Sequence, residues 1–391
     1  MALLVEKYGG TSVKNVTRVM EVAYNVRDRI KEGHQIVMVV SAPGGMTDEL
    51  IERAKSINSN PRGRELDVLL STGEQISIAL MAMALENLGV KAISYTASQL
   101  GIITVGEHNS ARIKEIHTEM VKRKLDEGYV VIVAGFQGVT PGGAVTTLGR
   151  GGSDTSAVAL GAALGAREVD IYTDVDGVYS ADPRIVEGAV KHSDISYEEM
   201  IEMAGSGAKV LHSRSVELAA KYGIDIHLRS SFNWREGTRI GEEKHMEKHV
   251  IRGIAATENL TKVSIEGRCL SLSDTIGAIS RSGANIDVIT HNYQRGRTEI
   301  SCIIKEEYLD SALSAIETGE VSWRKELAKV SVIGLGVKSK GTAATVFDIL
   351  SREGIEVEGV SCSEINISCI IPEEDVKRAQ CALHKELIET E

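Results

Sequence analysis

The chain has 391 residues, 42% of them apolar and 25% charged, with a formal net charge of −11. That length suits two or three domains with an ordinary core and no need of a disulfide or metal staple. The acidic balance excludes a dedicated nucleic-acid binder, and no apolar run approaches the roughly 18 residues of a membrane span.

In chain order, apolar runs predict strands at Leu3–Lys7, Gln35–Ser41, Ala92–Tyr95, Tyr129–Gly135, Val169–Thr173 and Asp225–Leu228. Amphipathic stretches near 15–32, 47–57, 72–88, 110–127, 153–165, 196–204 and 213–222 predict helices between them. Strands apolar throughout and separated by helices predict a parallel-rich open sheet covered on both faces, an α/β domain over residues 1–232. Ligands of such sheets bind beyond the carboxyl ends of the strands. The polar run 233–249 reads as a linker.

Beyond the linker the chain repeats itself. Lys262–Gly267 echoes Lys329–Gly334, and Ile300-Ser-Cys-Ile-Ile304 recurs as Ile367-Ser-Cys-Ile-Ile371, both at an offset of 67 residues. Between them Ser280-Arg-Ser-Gly283 matches Ser351-Arg-Glu-Gly354. The copies, 250–328 and 329–391, each read as strand, helix, strand, strand, helix, most of a ferredoxin-like βαββαβ unit. The second copy lacks a final strand, and Val250–Ala256 is expected to complete its sheet.

Cys269, Cys302, Cys362, Cys369 and Cys381 show no CxxC spacing, which argues against zinc and dithiol sites. An odd cysteine count and no signal-peptide pattern before Leu3 lead to the expectation of a reducing, cytoplasmic setting.

Several motifs can carry chemistry, and each has a plainer reading beside it. Lys7-Tyr-Gly9-Gly10 follows the first strand. Its glycines let backbone N–H groups converge on an anion and its lysine adds charge, although a surface turn has the same pattern. Ser41 to Thr47 follows the second strand and is equally a simple strand-to-helix loop. Gly149-Arg150-Gly151-Gly152-Ser153-Asp154 opens a small-residue helix. Orphan N–H groups there favour an anion, and Arg150 adds a fork for a carboxylate or phosphate; the bland role of Ser153 or Asp154 is capping. Thr173-Asp174-Val-Asp176-Gly-Val-Tyr179-Ser-Ala-Asp182-Pro-Arg184 leaves a buried strand, its acids fit for a ribose or Mg²⁺ and Tyr179 for a base, or all for turns. Lys209 lies near a glycine turn, and Glu74 in a helix first turn complements the dipole in its plainer role. No GxxxxGK[ST] is present, and Gly334-Leu-Gly336 has the wrong following spacing for a dinucleotide fingerprint.

Taken in order, KYGGTS, Ser41 to Thr47, Ser71-Thr-Gly-Glu74, Phe136, GRGGSDTSA, TDVDGVYSADPR and GAKVLH resemble the aspartate kinases over essentially the whole chain. The tandem repeats resemble ACT modules, the regulatory pair of that family. The resemblance implies an amino acid kinase fold and phosphoryl transfer from ATP, with Mg²⁺ carried on the nucleotide, to the β-carboxylate of L-aspartate. It opens the route to lysine, threonine and methionine. By the same resemblance Lys7 stabilises the phosphoryl group, with Gly9, Gly10 and Ser41 at the phosphates, while Thr173, Asp174, Tyr179, Asp182, Arg184 and Lys209 hold the nucleotide. Arg150 takes the substrate α-carboxylate and Glu74 its ammonium; Ser41, Thr47, Phe136, Gly151, Gly152, Ser153 and Asp154 complete that pocket. Lysine or threonine is the implied effector, at Asp274, Thr275, Ile276, Gly277, Asn285, Ile286 and Asp287, with Ser361 and Ser363. A homodimer through the ACT pair is the default, and Met246 is placed for an internal start giving a small subunit. Acetylglutamate or glutamate kinase, and a non-catalytic amino-acid sensor, are the alternatives.

Overall fold

The computed structural model describes residues 2–208, 210–243, 251–268, 270–294 and 296–389. Lys209 and Met246 lie outside them. The chain divides into two compact units, the first made of residues up to Val178 with 191–204 and 209–246, the second of 179–190, 205–208 and the remainder.

In the first unit the strands are β1 Leu3–Tyr8, β2 Gln35–Val40, β3 Ala92–Tyr95, β4 Ile102–Val105, β5 Arg112–Ile116, β6 Val130–Ala134, β7 Gln137–Val139, β8 Val145–Thr147, β9 Glu168–Thr173, β10 Asp194–Ser196, β11 Asp225–Ser230 and β12 Thr238–Gly241. The helices are α1 Val16–Lys31, α2 Met46–Ile57, α3 Arg64–Leu70, α4 Thr72–Asn87, α5 Ala97–Leu100, α6 Glu119–Asp126, α7 Gly152–Leu164, α8 Tyr197–Gly205 and α9 Ser213–Tyr222. An eight-stranded sheet runs β10-β12-β11-β9-β1-β2-β6-β3. Strands β1, β2, β6 and β9 pair in parallel and are buried along almost their whole length, which is why they read as unbroken apolar runs. On one face the side chains of α1 and α4 close over Tyr8, Ile36, Met38, Ile132 and Tyr172. Helices α3 and α4 run on over Arg64–Asn87, apolar and long enough to cross a membrane by length and composition, but half of that stretch is packed inside the protein.

Two expectations are corrected here. The helix expected over 110–127 is strand β5 followed by α6. Ile113, Ile116 and Met120 have helical spacing and Arg112–Ile116 does not alternate as a regular strand does, so only pairing with β4, across a register shift, decides the outcome. It belongs to a second, four-stranded sheet, β5-β4-β7-β8. The expected linker 233–249 contains β12, which pairs antiparallel with β11.

The second unit holds β13 Gly253–Gly267, α10 Leu272–Arg281, β14 Ile286–Gln294, β15 Arg297–Lys305, α11 Leu309–Ala315, β16 Glu320–Ile333, α12 Thr342–Arg352, β17 Gly359–Cys362, β18 Asn366–Pro372 and α13 Val376–Leu387. Its strands form one six-stranded sheet, β14-β15-β13-β16-β18-β17. Gly253–Thr257 of β13 pairs with Lys329–Ile333 of β16, and Ile251 and Ile254 pack among core residues of the second copy. Past a bulge at Asn259, whose φ is 58°, the same strand pairs Leu260–Gly267 with β15. The repeat is legible in side-chain contacts: Ser264 Oγ lies 2.8 Å from Ser301 Oγ, and 67 residues on Ser331 Oγ lies 2.7 Å from Ser368 Oγ.

Candidate active site

The loops after β1, β2, β6 and β9 leave the same edge of the eight-stranded sheet, because these neighbouring strands are parallel. The first two loops are joined backbone to backbone. Gly44 N–H donates to Gly10 O at 2.9 Å, and Gly9 N–H donates to Tyr172 O of β9 at 3.0 Å. A Cβ at Gly10 would stand 2.8 Å from Ala42 O, so only glycine permits this approach. A Cβ at Gly9 would stand 3.3 Å from Lys7 Nζ, so the bare backbone leaves room for the ammonium. Lys7-Tyr-Gly-Gly is therefore not a surface turn.

Lys7 Nζ pairs with Asp154 Oδ1 at 2.7 Å, and the two side chains are 10% and 12% exposed. Asp154 sits in the first turn of α7, where the helix N–H groups add positive potential. Gly151 caps that helix at φ 68°, and a Cβ on it would collide with His212. Gly152 lies against Phe136, whose own φ is 66° and whose N–H donates to Ser156 Oγ at 3.1 Å. Ser153 Oγ approaches Gly135 so closely that a Cβ there would stand 2.8 Å away. Phe136 and residues 151–154 thus gather at the α7 N-terminus. Arg150, one residue earlier, is exposed.

Glu74 reaches the same edge from α4. Its Oε1 accepts the Ala42 N–H at 3.0 Å, whereas its Oε2 is buried with no hydrogen-bond partner. Burial pushes the carboxyl up to about 7, against the pull of the Ala42 N–H. A buried carboxylate oxygen left unpaired is costly, and it suits a cationic ligand group. Gly73 lets α4 come this near, since a Cβ on it would press on Ala42 Cβ at 2.7 Å. Ser41 precedes Ala42 in the loop, and Thr47 stands in the first turn of α2.

The long acidic motif is divided. Thr173 ends β9 and its hydroxyl donates to the exposed Asp174 at 3.1 Å. Tyr179, Asp182 and Arg184 fall in the second unit, where Arg184 pairs with Asp182 at 2.6 Å.

Some supporting residues escaped the sequence reading. Asp67, fully buried on α3, accepts Asn109 N–H at 3.1 Å and Nδ2 at 2.6 Å, and also the Thr147 hydroxyl. Arg214 donates to Leu148 O at 2.7 Å and Ala111 O at 2.8 Å. Both hold the chain that leads into Arg150. An acid inside the apolar stretch Leu66–Leu70 was the available signal for Asp67; Arg214 had none. Glu168, Asp170 and His227 lie close enough together to hold a metal. Asp170 and Glu168 are already paired with Arg29 and Arg239, so the cluster reads as an ion-pair network.

Among the effector candidates, Asp274 and Asn285 are exposed, and Ser271 caps α10 by accepting Asp274 N–H at 3.3 Å. Asp287 pairs with the buried Lys329 at 2.5 Å. Ser361 on β17 and Ser363 just after it lie at the opposite edge of the six-stranded sheet from β14, which carries Ile286 and Asp287.

Residues 2–230 match the amino acid kinase family, and 330–387 match the ACT domain. An aspartokinase of Geobacillus stearothermophilus is 47% identical over 98% of this chain and 97% of its own length. The chain belongs to the aspartokinase family. Aspartokinase 2 of Bacillus subtilis is 44% identical, again over 98% of this chain and 97% of its own. Escherichia coli aspartokinase III, solved in complex with aspartate and ADP in its R-state, superposes at a TM-score of 0.82 with 25% identity, covering 99% of each chain. The readings as acetylglutamate or glutamate kinase, and as a non-catalytic sensor, give way: this is an aspartate kinase.

Proposed function

We propose that the kinase moves the γ-phosphoryl group of ATP onto the β-carboxylate of L-aspartate, giving 4-phospho-L-aspartate, and that Lys7, Asp154 and Glu74 organise the step. The attacking carboxylate is already ionised at neutral pH, so no strong base is required. What the reaction needs is alignment and neutralisation of charge on the group in flight. Lys7 supplies a cation held by Asp154, with the N–H groups around Gly9 and Gly10 and Ser41 beside it. Arg150 takes the α-carboxylate by its fork. Glu74 takes the ammonium, and Thr47, Phe136 and Gly151 to Ser153 shape the pocket.

Thr173, Asp174, Tyr179, Asp182, Arg184 and Lys209 are assigned to the nucleotide. Mg²⁺ arriving on the phosphates supplies further charge neutralisation, and the exposed Asp174 is the acid fitted to face it. The observation that carries this reading is the occurrence of a withdrawn Lys7–Asp154 couple and an unpartnered Glu74 oxygen at one edge of the sheet. Incubation with ATP and aspartate, glutamate or acetylglutamate, trapping acyl phosphate with hydroxylamine, tests it: hydroxamate forms with aspartate, and equal yield from glutamate refutes the assignment.

The product feeds lysine, threonine and methionine synthesis in this reading, and the ACT pair provides feedback. Asp287 is satisfied by Lys329, which leaves Asp274 as the acid open to an effector ammonium at the start of α10, near Thr275, Ile276, Gly277, Asn285 and Ile286. Ser361 and Ser363 stand at the other edge, so a second copy paired edge to edge supplies them to that site. Titrating lysine and threonine, singly and together, identifies the effector. A single full-length product from the native gene would exclude the internal start at Met246.

A further inference from the structure

The stretch Tyr179–Val190 continues the nucleotide motif but packs with the second unit. It closes on itself at Ser180, whose N–H donates to Val190 O at 2.9 Å while its Oγ accepts Val190 N–H at 2.8 Å. A strand and a helix of the second unit then grip it. Ile254 N–H, on β13, donates to Ser180 O at 2.7 Å. His384 Nε2, on α13, lies 2.8 Å from Ser180 Oγ, and both residues are fully buried.

The opposite ring nitrogen, His384 Nδ1, stands 3.0 Å from Glu389 Oε1. A carboxylate only accepts, so Nδ1 donates to Glu389, and Nε2 faces the Ser180 hydroxyl. Further contacts follow the same helix: Cys381 Sγ reaches Ile185 O at 3.6 Å, and Glu389 Oε1 comes so near Gly188 that a Cβ there would be 2.1 Å away. Such a chain of buried polar contacts holds one conformation, because each partner is costly to leave unpaired.

We propose that His384 is a positioning residue for ATP: through Ser180 it holds segment 179–190, and with it Tyr179, Asp182 and Arg184, in the conformation that takes the nucleotide. The inference rests on the assignment of those three residues to ATP. Loss of the contact lowers the fraction of competent segment, and apparent affinity falls by that fraction. An effect of this kind falls on ATP and leaves aspartate and the chemical step alone.

The test is steady-state kinetics and direct ATP binding by calorimetry on the full-length His384→Ala, His384→Gln, Ser180→Ala and Arg184→Ala enzymes. We expect His384→Ala and Ser180→Ala each to raise the ATP KM and Kd about tenfold, with kcat and the aspartate KM within about twofold. His384→Gln, whose side-chain amide meets the same hydroxyl, restores most of the loss. If His384→Ala does not fold, Ser180→Ala, which removes one atom, carries the test. An unchanged ATP KM in Ser180→Ala together with a raised one in Arg184→Ala overturns the positioning role alone. An unchanged ATP KM in both overturns the nucleotide assignment and the inference with it. Equal losses on ATP, aspartate and kcat, or no rescue by glutamine, mark a merely structural contact and also overturn it.

Discussion

Lys7 Nζ and Asp154 Oδ1 meet at 2.7 Å although one ends a strand and the other begins a helix far along the chain. The pair keeps a lysine pointed into the loops rather than out to water. Lys7→Ala should lower kcat by about a thousandfold or more, since cationic groups at phosphoryl transition states are worth that much. Turnover measured under saturating ATP and aspartate, with circular dichroism to confirm folding, checks it; near-normal turnover would remove Lys7 from the chemistry.

Glu74 gives a pH dependence with a definite sign. Its carboxyl is raised to about 7 by burial, and only the ionised form attracts an ammonium. As pH falls through about 7 the group takes up a proton, so kcat/KM for aspartate should drop on the acid side of that value. The ATP KM should not follow it. Glu74→Gln should show a low kcat/KM for aspartate with the acid limb gone; a limb that survives in this variant belongs to another group.

Arg150 is exposed, and its proposed partner is a planar carboxylate. Replacement by lysine keeps the charge but loses the two-pronged hydrogen bonding. Arg150→Lys should raise the aspartate KM by about tenfold, the cost of one charge-assisted hydrogen bond. The measurement is the aspartate KM at fixed, saturating ATP; a purely kcat effect would place Arg150 elsewhere.

Gly10 faces Ala42 O and Gly44 with no room for a methyl group. Gly10→Ala should therefore separate the first two loops and reduce kcat/KM for both substrates, while the melting temperature falls by only a few degrees. Wild-type kinetics would show that the loops are not held in register by this contact.

The duplicated serine pairs offer a graded stability test. Ser331 and Ser368 are both buried, whereas in the other pair Ser301 is buried and Ser264 only half-buried. Ser331→Ala should cost about 1 kcal/mol or somewhat more, and Ser264→Ala less, read as shifts in denaturant midpoint.

The parallel core was legible because strands buried on both faces leave continuous apolar runs, as in Gln35–Val40 and Val130–Ala134. The four-stranded sheet was not, because β7 and β8 are three residues each and β5 carries residues that fit a helix as well. Motif residues at the strand ends were found through their glycines. Arg214 was not, since its partners lie tens of residues away and nothing local marks it, and Asp67 was marked only by standing as an acid within Leu66–Leu70. Glu74 was seen as a dipole complement or a ligand residue; its unpartnered oxygen is a tertiary fact, set by how closely Gly73 brings α4 to Ala42.

Strand β13 spends its first five residues on one copy of the repeat and its last eight on the other. A genetic crossover between the two copies would orphan a strand on each side of the cut. Neither copy therefore keeps a complete sheet without the other, and a chain cut between them should lose both together.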